Sequence, residues 1–101
     1  MTDYLEDTVK PLRRAHILRY LAQCRGYESN ADILVSVING TRDGLTVFYT
    51  DVIEALGWLE NRGYVRLSGD EVVVVTATQR GLRLARGDDR DPGVAAPEPK
   101  A

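Results

Sequence analysis

Residues 49–67 constrain the fold more than any other part of the chain, because they predict a helix that passes directly into a strand. Four apolar residues of this stretch follow the three- and four-residue spacing of one buried helix face. They are Val52, Ala55, Leu56 and Leu59. Gly63 allows a left-handed exit from the helix, so Tyr64 can start a strand beneath it. We therefore predict a helix over residues 49–61 and a strand over residues 64–67.

Three further helices are predicted around this junction. The spacing of apolar residues predicts one helix over residues 11–24 and a second over residues 30–39. Pro11 suits a first helical turn, although an earlier start near Asp3 also fits the pattern. Thr78 can cap a short last helix over residues 79–85.

The remaining apolar segments predict strands. Residues 64–67 and 71–77 are joined by Ser-Gly-Asp at 68–70, which predicts a hairpin with a tight turn. The valine run in the second of these strands does not alternate, so it is either covered on both faces or paired with a partner. Residues 45–48 predict one short edge strand.

Charge is distributed unevenly along the chain. The net charge of −2 hides a mildly basic middle between two acidic ends. We therefore divide the chain into an acidic N-terminal segment (1–8), one folded domain (9–86) and a flexible tail (87–101) rich in Asp, Pro, Gly and Ala. A basic middle suits a polyanionic partner, but the same charges also suit ordinary solvated helix faces.

Composition argues against several functional classes. One Cys and one His exclude an internal disulfide, a cysteine-cluster metal site and a two-histidine zinc motif. We find no glycine-rich phosphate loop and no serine with a histidine at a motif spacing, so we predict no enzymatic activity, no metal and no cofactor. No apolar run approaches the roughly 20 residues of a membrane span, and the acidic start is unlike a signal peptide. We therefore expect a cytoplasmic protein with no membrane partner.

The predicted order of elements is helix, helix, short strand, helix, strand, strand, helix. A helical trio followed by a β-hairpin is the arrangement of the winged helix-turn-helix. We therefore predict an α+β fold of this type, with a three-helix core, a β-hairpin wing and a short C-terminal helix.

A series of motifs in a fixed order points to a family. An arginine-rich helix leads to a Gly-Tyr step, RRAHILRYLAQCRGY at 13–27, and a short Asn-led helix follows, NADILVSVING at 30–40. Next come a Trp-Leu pair at 58–59, a valine strand running into Thr-x-Arg-Gly at 78–81, and Pro-Gly-Val at 92–94. Together they resemble the small winged-helix proteins of Mu-like transposable phages and prophages. The resemblance implies a phage origin and a regulator-like role.

Two features depart from that family. Its members tend to open the third helix with small polar and charged residues, whereas residues 47–50 here are Val-Phe-Tyr-Thr. The related tails are usually basic after Pro-Gly-Val, whereas Lys100 is the only cation beyond Val94 here.

The first functional hypothesis is DNA binding or transcription regulation. The third helix of a winged helix usually enters the major groove. Its outermost row is predicted to be Thr50, Glu54, Gly57 and Asn61, which contains no cation. We therefore expect weak, salt-sensitive binding to double-stranded DNA, which a homodimer would strengthen. The candidate DNA-binding residues are Arg13, Arg14, Arg42, Tyr49, Thr50, Ile53, Asn61 and Arg66.

The alternative hypothesis is a protein-interaction module, such as an adaptor or a phage inhibitor of a host protein. Its candidate residues, around the start and flank of the third helix, are Phe48, Tyr49, Ile53 and Trp58. Exposed aromatic anchors are typical of interfaces, although Phe48 and Trp58 can also simply complete a small core. A DNA-binding protein should present a continuous positive surface across the third helix and wing. An adaptor should present an exposed apolar patch around Phe48, Tyr49 and Ile53.

Overall fold

A computed structural model describes residues 3–42 and 44–97. Within these residues the chain forms four α-helices and three strands of one antiparallel sheet, whose spatial order is β1-β3-β2. In chain order the elements are α1 (Lys10–Gln23), β1 (Glu28–Asn30), α2 (Ala31–Asn39), α3 (Tyr49–Asn61), β2 (Val65–Ser68), β3 (Val74–Ala77) and α4 (Gln79–Arg86). The predicted α+β class is confirmed.

The acidic N-terminal segment continues into the first helix. A π-helical turn over Leu5–Val9 leads directly to α1, and Pro11 lies in the first turn of α1. The Lys10 ammonium lies 2.6 Å from the Glu6 carboxylate and 2.8 Å from that of Glu54 on α3. The N-terminal turn is thereby tied to α3.

The other three helices match their predicted positions. The Asn30 side chain accepts a 2.9 Å hydrogen bond from the Ile33 N–H and caps α2. The Thr78 hydroxyl accepts from the Gly81 N–H and caps α4, which ends at Gly87 in the left-handed conformation. Gly63 has a φ of 79°, so the predicted left-handed exit from α3 is confirmed.

The third strand comes from an unexpected part of the chain. Residues 45–48 form no strand, and β1 forms instead from Glu28–Asn30, which pairs with one edge of β3. The physical reason lies in Asn39, whose amide donates to the Val47 carbonyl (3.1 Å) and accepts from the Val47 N–H (2.7 Å). One side chain therefore satisfies the backbone groups of Val47 that a strand would use.

The hairpin has a longer loop than expected. The last paired residues are Ser68 and Val74, so residues 69–73 form a five-residue loop in place of a tight turn. Gly69 has a φ of 91°, and a Cβ there would collide with the Val72 carbonyl oxygen. Because β3 is flanked by β1 and β2, both edges of the valine strand are occupied within the chain, and Val75 is fully buried.

The core lies where α1 packs against α2, α3, α4 and the sheet. Its largest fully buried side chains are Ile17, Leu18, Leu21, Leu34, Ile38, Val52, Leu56, Leu59, Val65, Val75 and Leu82. The buried face predicted for the third helix is therefore confirmed. No helix within the described ranges has the length and apolar character needed to cross a membrane.

The sequence predicts a flexible tail from residue 87, but the structure packs residues 88–97, the C-terminal segment, against the domain. The Ala95 N–H donates to the Pro11 carbonyl at 3.0 Å, and Arg19 donates to the Ala95 carbonyl at 3.1 Å. Asp91 and Val94 are each only 8% exposed. The segment is ordered because it buries Val94 and pairs the Asp91 carboxylate, whereas residues 98–101 lie outside the described residues.

Candidate functional site

The start of α3 presents two aromatic side chains to solvent. Phe48, the residue before the helix, is 72% exposed, and Tyr49 is 42% exposed. The Phe48 N–H donates to the Asp51 carboxylate at 2.8 Å, and the Phe48 carbonyl accepts from the Asp51 N–H at 3.0 Å. Phe48 therefore does not complete the core, and the interpretation that it does is wrong.

Phe48 points outward because its neighbour Val47 points inward. Val47 is buried at 3% exposure, and the Asn39 amide holds both of its backbone polar groups. Successive side chains of extended backbone point to opposite sides, and Phe48 is extended at φ −102° and ψ 166°. The exposure of Phe48 is thus set by a buried residue and two hydrogen bonds next to it.

The four proposed interaction residues divide into two groups. Ile53 lies one helical turn after Tyr49 and is partly buried against the core, so it adjoins Tyr49 on the surface of α3. The ring centroid of Trp58 instead lies 4.0 Å from the guanidinium carbon of Arg14 and 4.6 Å from that of Arg62. Phe48, Tyr49 and Ile53 therefore form one surface, the α3 entry surface, and Trp58 is not part of it.

Trp58 packs on the start of the hairpin, as expected, and also on the C-terminal segment. Its ring centroid lies 6.3 Å from that of Tyr64, the residue before β2. A Cβ on Gly93 would overlap the indole, so the Gly93 backbone lies directly against the ring. These contacts make Trp58 a packing residue that joins α3 to the C-terminal segment.

The charges of α3 are all negative. Residues 49–61 contain no Lys or Arg, and their three carboxylates belong to Asp51, Glu54 and Glu60. Hydrogen bonding to Lys10 lowers the pKa of Glu54, and the same contact raises the pKa of Lys10. Glu60 accepts from the Leu67 N–H on β2 at 3.1 Å. Each carboxylate is therefore engaged within the chain, and the helix offers no positive charge to phosphate.

The predicted outward row of α3 agrees with its burial pattern. Thr50, Glu54 and Asn61 are exposed and Gly57 is partly buried. Asn61, however, lies at the last position of the helix, about 18 Å along the axis from Tyr49 at 1.5 Å per residue. The structure brings Tyr49, Thr50 and Ile53 together and leaves Asn61 at the other end.

Two predicted DNA contacts are inaccessible. Arg13 is 6% exposed and Arg14 is 8% exposed, so neither guanidinium is free to meet a phosphate. Arg14 donates to the Gly93 carbonyl at 3.1 Å, and burial lowers its pKa. Their Nε atoms have no hydrogen-bond partner among the described residues.

The sequence carries a signal for this burial, because Arg13 and Arg14 lie four residues before Ile17 and Leu18 on the buried stripe of α1.

The other two predicted arginines are accessible. Arg42 is exposed in the connection before α3, and Arg66 is exposed on β2. Arg66 lies opposite Thr76, on the face of the sheet turned away from buried Val65 and Val75. They remain the candidates for phosphate contacts beside α3.

A groove of about 510 Å³ lies between the N-terminal turn, α1, α4 and the C-terminal segment. Its apolar lining includes Pro11, Leu12, Leu84, Val94 and Pro97. Carboxylates and one arginine share its rim, and the described residues contain no group of three His, Cys, Asp or Glu side chains able to hold a metal ion. The mixed charge of the rim favours no particular ligand.

Comparison with protein-family models finds no match to this chain, and a search of curated proteins finds none either.

Proposed function

We propose that this chain is a small winged-helix protein of the Mu-like phage type that contacts a host or phage protein through the α3 entry surface. The winged-helix assignment is supported by the element order α1-β1-α2-α3-β2-β3 and by the sheet order β1-β3-β2. The loop over residues 69–73 is then the wing.

The exposure of Phe48 carries the proposal. A phenylalanine that is 72% exposed gains about 1.5–3 kcal/mol when it is fully buried, so it is a costly residue to leave in water without a partner. Aromatic residues are enriched in interfaces, and a few such anchors provide most of the binding energy. Phe48 is also pre-organised by the Asn39–Val47 and Phe48–Asp51 hydrogen bonds, so little ordering is needed on binding.

The charge of α3 favours a protein over the DNA major groove. Phosphate contacts supply much of the affinity of DNA-binding proteins and depend on Lys and Arg. Tyr49–Asn61 has three carboxylates and no cation, and Asp70 and Glu71 add two exposed carboxylates on the wing. Such a surface repels a DNA duplex. Phe48 and Tyr49 are then its main features that favour binding of a partner.

The proposal is tested by affinity capture from lysate of the phage host, with Phe48→Ser compared against the wild type. Loss of a hot-spot anchor costs about 2 kcal/mol or more, so we expect the captured partner to fall at least about tenfold. Tyr4→Ser is the matched control, because Tyr4 is 69% exposed and lies outside the α3 entry surface. Equal capture by Phe48→Ser and the wild type, or equal loss with Tyr4→Ser, would contradict the proposal.

DNA binding beside α3 is the second candidate, and the exposure of Arg42 and Arg66 supports it. Two phosphate contacts predict a slope of about −1.8 for log affinity against log salt. Anisotropy of a labelled duplex at about 50 and 200 mM salt measures this slope. The double variant Arg42→Gln/Arg66→Gln should then bind more weakly, and its affinity should depend much less steeply on salt. An unchanged affinity in that variant would exclude this candidate.

A further inference from the structure

We propose that α4 carries a phosphate-binding face for duplex DNA, separate from the α3 entry surface and from Arg42 and Arg66. This arginine face consists of Arg80, Arg83 and Arg86, which are all exposed. The helix Gln79–Arg86 contains three cations and no carboxylate, the reverse of α3. Fixed positive charge on one helix face is the electrostatic requirement for a polyanion.

The packing of α4 turns the three arginines to one side. Gly81, Leu82 and Leu84 are buried against the core, and a Cβ on Gly81 would collide with the Tyr64 carbonyl oxygen. The arginines recur every three residues on the remaining surface and span about 9 Å along the helix axis at 1.5 Å per residue. A duplex carries one charge per about 1.7 Å of its axis, so several phosphates lie within that span.

Two of the arginines rest on aromatic rings. The Arg80 guanidinium lies 5.2 Å from the Tyr64 ring centroid, and that of Arg86 lies 5.9 Å from the Tyr27 centroid. Such cation–π contacts restrict the long side chains before any ligand arrives, which lowers the entropy lost on binding. The arginine face is therefore partly pre-organised.

The Tyr27 contact extends the cationic surface to the end of α1. Gly26 and Tyr27 both adopt left-handed backbone, at φ 66° and 58°, and such a value is uncommon for a residue other than glycine. This turn places Tyr27 beneath Arg86 and leaves Arg25, two residues before it, exposed. A fourth cation thus lies close in the chain to the ring that supports Arg86.

The composition of the face favours phosphate over a protein surface. Its exposed positions on α4 are Gln79 and the three arginines, with no large apolar side chain among them. Arg83 is paired with Asp89 at 2.9 Å, and their side chains are 58% and 49% exposed. Because a phosphate must compete with Asp89 for Arg83, we expect weak binding that fades with salt.

The test is anisotropy of a labelled random duplex of about 20 base pairs, titrated with the full chain at about 50 and 200 mM salt. Three phosphate contacts predict a slope of about −2.7, which is about a 40-fold loss of affinity between these concentrations. The triple variant Arg80→Gln/Arg83→Gln/Arg86→Gln should bind about tenfold or more weakly at the lower salt and lose most of the slope. Arg90→Gln, which removes an exposed arginine outside α4, should change affinity less than about twofold.

Two further variants distinguish the loss of phosphate contacts from misfolding. The triple Arg→Lys variant at the same positions keeps the charge and should retain binding within about threefold. Asp89→Asn frees Arg83 and should tighten binding by about two- to threefold, a gain that unfolding cannot produce.

Four outcomes would overturn the proposal. The first is that the wild type does not bind at the lower salt, and the second is that the triple Gln variant binds with unchanged affinity. The third is that binding is lost in Arg42→Gln/Arg66→Gln alone. The fourth is that polyglutamate of matched charge displaces the duplex equally well. The third would assign the contact to the region beside α3, and the fourth would show a surface for any polyanion, acidic proteins included.

Discussion

The Tyr64 hydroxyl donates a 2.6 Å hydrogen bond to the Asp91 carboxylate, 27 residues later in the chain. Both residues are buried, and the same carboxylate accepts from the Gly93 N–H at 2.8 Å and from Arg62 at 3.3 Å. The bond joins the start of the hairpin to the C-terminal segment. That segment is therefore part of the fold, and its removal should affect α3 through Trp58.

Asp91→Ala should lower the free energy of unfolding by about 2 kcal/mol, because it leaves the buried Tyr64 hydroxyl without its acceptor. Urea denaturation followed by the fluorescence of Trp58, the only tryptophan, measures the change. Asp89→Ala is the control, because Asp89 is exposed, and it should stay within about 0.5 kcal/mol of the wild type. Equal stability of Asp91→Ala and the wild type would show that the contact does not hold the segment.

The same carboxylate should make stability depend on pH. Burial alone would raise the pKa of Asp91, but hydrogen bonds from Tyr64 and Gly93 and the nearby Arg62 outweigh it, so the pKa lies below its usual value. A carboxylate whose pKa is lower in the folded state stabilises the fold when the pH is above its pKa in the unfolded state, which is about 3.9. This stabilisation is lost as the pH falls through the pKa of the folded state. The stability difference between wild type and Asp91→Asn should therefore be full near neutral pH and shrink below about pH 4. A difference that stays constant down to about pH 2 would contradict this assignment.

Gly93→Ala and Gly57→Ala should change stability in opposite directions. A Cβ on Gly93 would overlap the Trp58 indole, so this variant should lose about 1–3 kcal/mol and shift the Trp58 emission. A Cβ on Gly57 meets nothing within 4 Å, and alanine favours helix by up to about 1 kcal/mol, so this variant should be more stable. Thermal unfolding of both variants measures these two changes in stability. A neutral Gly93→Ala would mean that the segment does not lie against Trp58.

Asn39→Ala should release the connection before α3. Both backbone groups of Val47 lose their partner, which costs about 1–2 kcal/mol. Hydrogen exchange at the Val47 amide should accelerate well beyond that of core amides in α1. Ser36→Ala, at an exposed position of the same helix, should leave the Val47 exchange rate unchanged. Protection of Val47 in Asn39→Ala would show that another group holds this segment.

Local patterns predicted the helices well. The buried face of α3, the Thr78 cap and the Gly63 exit each depend on residues within a few positions of one another, so spacing and backbone preference were enough. The exposure of Phe48 could be posed only as one of two alternatives, because it depends on the burial of Val47 and on the Asn39 amide.

The errors arose where distant residues decide the outcome. Glu28–Asn30 has no strand-like composition and becomes β1 only because it pairs with β3. Asp91 and Val94 lie in a segment with the composition of a flexible tail, and contacts with Tyr64 and α1 order it. The prediction that Arg13 and Arg14 contact DNA is wrong, because both lie on the apolar stripe of α1 and are buried.

The most direct test of the central claim is photo-crosslinking in cells that express the protein, from a benzoylphenylalanine placed at position 48, with position 4 as the control. Both positions are highly exposed aromatics, at 72% and 69%, so the label reports what each one touches. If the α3 entry surface binds a partner, position 48 will yield a discrete protein adduct that position 4 does not. No adduct from position 48, or the same adducts from both positions, would contradict the account.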